Sequence, residues 1–198
     1  MGKIVISENT SLDGVIQDPV GDGDFRFAGW FDRLAGKDRE AWVKVEFEEA
    51  MGAEALLLGR RTYDWFVALG WPSRSGDWAD RLRSMPKYVV SSSSLDGPEW
   101  TNSMVLGGGV VDAVTTLKHT VDGDVVVYGS GQLAHALIDH DLADELRLML
   151  CPFVLGTGRR VFGETRDRKP VRLTDTRTVG DSLVQLTYQL VRESAPGA

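Results

Sequence analysis

Four short stretches combine glycine, hydroxyl and arginine residues, the groups a phosphate selects. Gly129-Ser130-Gly131-Gln132-Leu133-Ala134 follows the apolar run Val125-Val126-Val127-Tyr128. Glycine lets the backbone approach an anion, and a helix opening there offers unpaired N–H groups and a positive dipole end. The stretch fits G-x-G-x-x-A. A dinucleotide fingerprint, however, opens a first βαβ unit and has an acidic residue about 20 positions on. Here the motif comes late, and the next strand ends in Met149-Leu150-Cys151. An anion site and a plain strand-to-helix turn both remain open from this motif alone.

Gly59-Arg60-Arg61-Thr62-Tyr63 sets two guanidiniums and a hydroxyl at a helix start, after Ala55-Leu56-Leu57-Leu58. Cations there oppose the helix dipole, so a bound anion or nearby carboxylates must offset them. Ser91 to Ser94 follow Lys87-Tyr88-Val89-Val90, and Gly107-Gly108-Gly109 follow Met104-Val105-Leu106. Ligands of an open α/β sheet sit outside the carboxyl ends of its strands. The turns together therefore predict one edge that takes an extended ligand with several phosphates.

Other chemistries lack their residues. His135 and His140 are five apart, the wrong spacing for metal ligands on one helical face. No serine stands in G-x-S-x-G, and no P-loop lysine is present. The single cysteine, Cys151, excludes an internal disulfide and reads as a small buried hydrophobe. No metal site is expected.

The elements that must position these turns read as alternating strands and helices. Strands are expected at Lys3–Ser7, 55–58, 87–90, 104–106, 124–128 and 145–150, and helices at about 38–52, 60–69, 110–120 and 132–139. In the first helix Trp42, Val45 and Phe47 face inward while Glu48 and Glu49 are exposed. Ser11-Leu12-Asp13-Gly14 turns out of the first strand. The glycine-rich, aromatic stretch 18–36 reads as a long loop over a pocket or interface. Segments 171–179 and 183–191, joined at Gly180-Asp181, read as an antiparallel hairpin. The order predicts an α/β fold with a mostly parallel, helix-flanked sheet and an antiparallel edge.

The chain has 198 residues, 42% of them hydrophobic and 26% charged, which suits one globular domain over 1–198 with a frayed tail at 194–198. A net charge of −7 argues against a broad nucleic-acid surface. No apolar run approaches a membrane span or a signal peptide, so no membrane partner is expected and the cytoplasm is the expected location.

Taken together, Ser11-Leu12-Asp13-Gly14, Gly59-Arg60-Arg61-Thr62-Tyr63, Val127-Tyr128-Gly129-Ser130-Gly131-Gln132-Leu133 and Asp144-Glu145-Leu146-Arg147 through Pro152-Phe153-Val154-Leu155-Gly156 resemble the dihydrofolate-reductase-like family. The chain is more closely similar to stand-alone proteins resembling the reductase domain of bifunctional riboflavin-biosynthesis enzymes. The resemblance runs from Lys3 to about Val191. It implies a three-layer α/β/α fold, NADPH as hydride donor, a small heterocyclic or carbonyl substrate, and a homodimer. It places Arg60, Arg61 and Thr62 on cofactor phosphates, beside Gly59. Ser91 and Ser92 would lie near the adenosine 2′-phosphate. Gly129, Ser130, Gly131, Gln132 and Leu133 would wrap the pyrophosphate and ribose. Asp13 and Gly14 would border the nicotinamide, with Asp13 a candidate proton relay or simply a turn former. Glu145 matches an acidic residue near the substrate.

The chain departs from two relatives. It carries neither H-x-E nor P-C-x-x-C, so the zinc deaminase half is missing. It also lacks the Pro-Trp pair of folate reductases, and Glu46, Glu48 and Glu49 of the first helix do not align with their pterin-binding carboxylate. The rival readings are a non-catalytic NADP(H)-binding dimer, a dihydrofolate reductase proper, and a dimerisation domain that keeps only a remnant phosphate site.

Overall fold

The computed structural model describes residues 1–21, 23–95 and 100–192; the expected tail at 194–198 lies outside them. Eight strands form one sheet in the order β4-β3-β2-β5-β1-β6-β8-β7. They are β1 (Lys3–Ser11), β2 (Ala55–Gly59), β3 (Lys87–Val90), β4 (Ser103–Leu106), β5 (Asp124–Tyr128), β6 (Glu145–Cys151), β7 (Val171–Val179) and β8 (Leu183–Leu190). β1 to β6 are parallel, and β8 and β7 close the sheet antiparallel. The sheet is the mostly parallel one expected, with its C-terminal hairpin.

The helices are α1 (Gly36–Gly52), α2 (Arg60–Ala68), α3 (Asp77–Ser84), α4 (Val110–Thr120) and α5 (Gly131–Asp139). Alternation along the central strands feeds two layers. Ile4, Ile6, Leu57, Val125 and Val127 pack under α4 and α5. Val5, Leu56, Leu58, Val126 and Tyr128 pack with Ala50 of α1, Tyr63 of α2 and Leu82 of α3. This is a three-layer α/β/α arrangement.

Three features depart from the sequence reading. α3 was not expected, because its apolar content is only Trp78, Ala79 and Leu82. Its charges suit the dipole, with Asp77 and Asp80 in the first turn and Arg81 and Arg83 in the last. Lys87, read as part of an apolar strand, is buried and supports this helix. Its ammonium donates to the carbonyls of Leu82 (2.7 Å) and Met85 (2.8 Å) and lies over the Trp100 ring. The last part of the 18–36 stretch enters the core. Trp30, Phe31 and Leu34 are buried with Met149, Cys151, Val179 and Leu183. Among the described residues, no helix is long and apolar enough to cross a membrane.

Candidate functional site

Because β1 to β5 run in one direction, their carboxyl ends share one edge. Following the strand order, that edge carries Gly107–Gly109, Ser91–Ser94, Gly59–Thr62, Gly129–Gly131 and Ser11–Gly14. Five turns far apart in sequence thus become neighbours.

The turn after β5 is the most constrained. Gly129 (φ 54°) and Ser130 (φ 60°) are both left-handed, a conformation that strains a non-glycine residue. Side chains hold Ser130 there. Its N–H donates to Thr62 Oγ1 (3.1 Å), and its Oγ accepts from Gly59 N–H (2.9 Å) and donates to the Tyr128 carbonyl (3.1 Å). The turns after β2 and β5 are thereby one unit. The first N–H groups of α5, at Gly131, Gln132 and Leu133, have no partner within the helix by position. A Cβ at Gly131 would stand 2.8 Å from Ile16 Cδ1, so the segment after Asp13 closes on this turn from the other side.

Arg60 spans the gap between β2 and β3. Its Nε donates to both Asp64 oxygens (2.9 Å each), and its Nη1 reaches Ser93 Oγ (3.2 Å) and the Ser94 carbonyl. Arg61 is exposed and makes no hydrogen bond or ion pair with the described residues. Ser91 Oγ is taken up within its own loop by Ser93, whereas Ser92 is exposed. Free N–H groups, a guanidinium and hydroxyls along one edge suit a polyanion, so these residues fit a dinucleotide with phosphates.

One expected site residue takes a bracing position and another requires correction. Asp13 is at the edge and acts as a bracket. Its carboxylate accepts from Leu155 N–H (3.0 Å), Gly156 N–H (2.8 Å) and Ser11 Oγ (2.8 Å). The Leu155 and Ser11 bonds lead in pulling its pKa down to about 2, so it stays ionised. It ties the turn after β1 to the turn after β6, while Gly14, left-handed at φ 84°, makes the bend. Glu145 does not join the site at all. It opens β6, paired in register with Val5, six residues and about 20 Å before the carboxyl end. There it binds Lys3 (2.5 Å) and Arg147 (2.7 Å).

Sequence reasoning missed a group of polar side chains flanking β1. On α1 the buried acid is Glu46, while the side chain of Glu49, expected to be exposed, is only 5% exposed and pairs with Arg147 at 2.9 Å. Burial, then the charge of Glu49, hold the Glu46 carboxyl well above the usual range. One turn earlier, the Trp42 indole donates to Asn9 Oδ1 (2.8 Å) near the end of β1. The Tyr128 hydroxyl is buried beside Glu49, and among the described residues it makes no well-formed hydrogen bond. Across the sheet, Glu8 is buried with Oε1 unpaired, and burial pushes its pKa up to about 8. A signal existed for both acids. Glu46 lies four residues from Trp42 and from Ala50 on the apolar stripe, and Glu8 continues the Ile4–Ile6 alternation of β1 on the same face.

A cavity of about 540 Å³ lies elsewhere, beside Asp144, Arg172, Gln189 and Arg192 at the start of β6, and includes no residue of this edge. Among the described residues, no group of three or more His, Cys, Asp or Glu side chains gathers to hold a metal.

The family model of the RibD C-terminal domain matches residues 2–185. The uncharacterized protein YyaP of Bacillus subtilis is 27% identical over 139 residues, 68% of this chain and 73% of YyaP. A Shewanella sp. PV-4 protein, provisionally described as a riboflavin biosynthesis protein, shares the fold with a TM-score of 0.72 at 24% identity, covering 96% of this chain and 99% of that one. Dihydrofolate reductase from Enterococcus faecalis, solved with NADP(H), has a TM-score of 0.55 at 16% identity, over 95% and 96% of the two chains.

Proposed function

The chain belongs to the RibD C-terminal domain family, a reductase-type family, and from that premise we propose that it is an NADPH-dependent reductase of a small heterocyclic or carbonyl compound. The observation that carries this reading is the left-handed Gly129-Ser130 turn, locked to Gly59 and Thr62 at the head of α5. Strained backbone held by three side-chain hydrogen bonds marks a place where N–H direction matters. Gly131, Gln132 and Leu133 would take the pyrophosphate, with Gly59, Arg60, Arg61, Thr62, Ser91 and Ser92 toward the adenosine end. When bound, the nicotinamide supplies a hydride.

The chain's own part is to orient, exclude water and provide a proton. Asp13 and Gly14 shape the turn that borders the reacting ring. Asp13, ionised, cannot donate. Glu46, whose carboxyl is held well above its ordinary range by burial, is the acid we assign to the acceptor side, one helical turn from the Trp42–Asn9 bond. Glu145 has no part.

Titration with NADPH tests the reading. At one hundred times the dissociation constant, binding adds about 2.7 kcal/mol, or roughly 5–11 °C in midpoint at about 2–4 °C per kcal/mol. No shift at saturation removes both the reductase and the non-catalytic binder. A shift without NADPH oxidation by any carbonyl or heterocyclic acceptor leaves the non-catalytic binder.

A further inference from the structure

The loop after β6 follows α5 back from its last turn to its first. At the end of the helix, Arg166 N–H donates to Asp139 Oδ1 (2.8 Å). At its middle, His135 Nε2 lies 3.0 Å from the Arg160 carbonyl. At its head, Arg159 to Val161 pair antiparallel with Gly14 to Ile16. Ile16 N–H donates to the Arg159 carbonyl (2.9 Å), and Val161 N–H donates to the Gly14 carbonyl (2.8 Å). The short ribbon therefore reaches the turn where β5 feeds α5.

Alternation fixes where the side chains of the ribbon go. Val15 and Arg160 stand opposite each other, so Ile16, Arg159 and Val161 share the other face. Val161 is buried in the core beneath α5, and Ile16 packs against that core. Ile16 Cδ1 would stand 2.8 Å from a Cβ at Gly131. Arg159, paired with Ile16, is thus set beside the head of α5. Gln17 Oε1 holds its N–H (2.9 Å), while its guanidinium is exposed and makes no hydrogen bond or ion pair with the described residues. Other arginines of the loop are compensated: Arg160 has Asp13 at 3.7 Å, and Arg166 has Asp139 at 2.9 Å. A lone cation at a helix N-terminus opposes the dipole, and a bound anion reverses that penalty.

We infer that Arg159 is a further cofactor-binding residue, whose guanidinium closes on the pyrophosphate from the side opposite Gly59 and Thr62. The inference rests on the reductase reading. It adds the loop after β6 to a site otherwise built from the turns after β2, β3 and β5. The N–H groups at the head of α5 take some phosphate oxygens, and a planar guanidinium fork takes two others at once. The pyrophosphate is common to NADPH and NADH, so Arg159 supports affinity for both and selects neither. That separates it from Arg60, which stands at the adenosine end.

Isothermal titration of the full chain and its variants with NADPH and with NADH tests it. Arg159→Ala should weaken both cofactors at least about tenfold and by the same factor, with an unchanged unfolding midpoint. Arg159→Lys, which keeps the charge but not the fork, should recover part of the loss for both. Arg166→Ala, at the far end of α5, should leave both affinities unchanged. Wild-type affinity in Arg159→Ala overturns the inference and leaves the reductase reading standing. A loss confined to NADPH overturns it too, because Arg159 then serves the 2′-phosphate. So does an equal loss in Arg166→Ala, which would mark a general field effect, or a lowered midpoint in Arg159→Ala, which would mark a brace for the ribbon. A wild-type chain that binds neither cofactor overturns the inference and the reductase reading together.

Discussion

Ser130 is left-handed, and Thr62, 68 residues earlier, receives its N–H at 3.1 Å, so the opening of α5 is fixed by the opening of α2. Ser130 Oγ returns the contact by accepting from Gly59. The two turns form a single rigid cradle, and neither residue is placed by its own helix alone.

Ser130→Ala should therefore damage both stability and binding. It keeps the strained φ but leaves the Gly59 N–H without its acceptor, a loss of about 1–3 kcal/mol. Denaturant unfolding should show that loss, and NADPH affinity should fall at least about tenfold. Ser130→Gly loses the same bond but relieves the strain, so it should be the milder variant. Equal loss in both would remove the argument from strain.

Asp13→Asn should lower stability by about 1–3 kcal/mol while leaving the shape of a pH–rate profile unchanged. The amide weakens the bonds from Leu155, Gly156 and Ser11 but removes no proton donor. The Asp13 pKa is depressed in the fold, so its stabilisation is complete above the ordinary carboxylate pKa and fades as pH falls toward about 2. A rate profile that loses a limb near neutrality in Asp13→Asn would restore Asp13 as a relay.

Glu8 gives the opposite sign. Its folded pKa of about 8 exceeds its ordinary 4.5, so the folded chain holds a proton that the unfolded chain releases. Stability is fully present below about pH 4.5 and declines as pH rises through about 8, by up to about 1.4 kcal/mol per pH unit. Glu8→Gln has no such proton. Denaturant unfolding at several pH values between 5 and 8 should show the variant gaining on the wild type as pH rises. Parallel curves would mean that Glu8 finds a partner in solution.

The parallel part of the sheet and the turns at its carboxyl edge were legible because β2 to β5 are short apolar runs closed by glycine or serine, and the hairpin because Gly180-Asp181 joins two strand-like segments. Position along the strand was not. Glu145 and Asp13 both read as acids beside β-structure, yet the register sets Glu145 at the amino end of β6 while Asp13 follows the carboxyl end of β1. α3 escaped notice because eight residues with only three apolar positions, Trp78, Ala79 and Leu82, are too short a run to stand out as a helix. Glu46 and Glu8 were hidden for another reason. Periodicity assigns a polar residue on an apolar stripe to solvent, and only the packed neighbours show that the stripe won.

Selectivity for NADPH over NADH should depend on Arg60. The two cofactors differ by one phosphate, and Arg60 stands between the ends of β2 and β3 with Ser93 within 3.2 Å. In the free protein, Asp64 occupies its Nε side with two 2.9 Å bonds, so a phosphate dianion would have to compete with that carboxylate. A charge-assisted hydrogen bond contributes about 1.5–3 kcal/mol, and each 1.4 kcal/mol is about tenfold. Arg60→Ala should weaken NADPH at least about tenfold and NADH by less than about twofold. Asp64→Asn frees the guanidinium and should strengthen NADPH while leaving NADH unchanged. Isothermal titration of both cofactors against both variants decides the matter. If Arg60→Ala weakens the two cofactors equally, Arg60 serves the shared pyrophosphate, and the exposed, unpaired Arg61 becomes the residue that reads the extra phosphate.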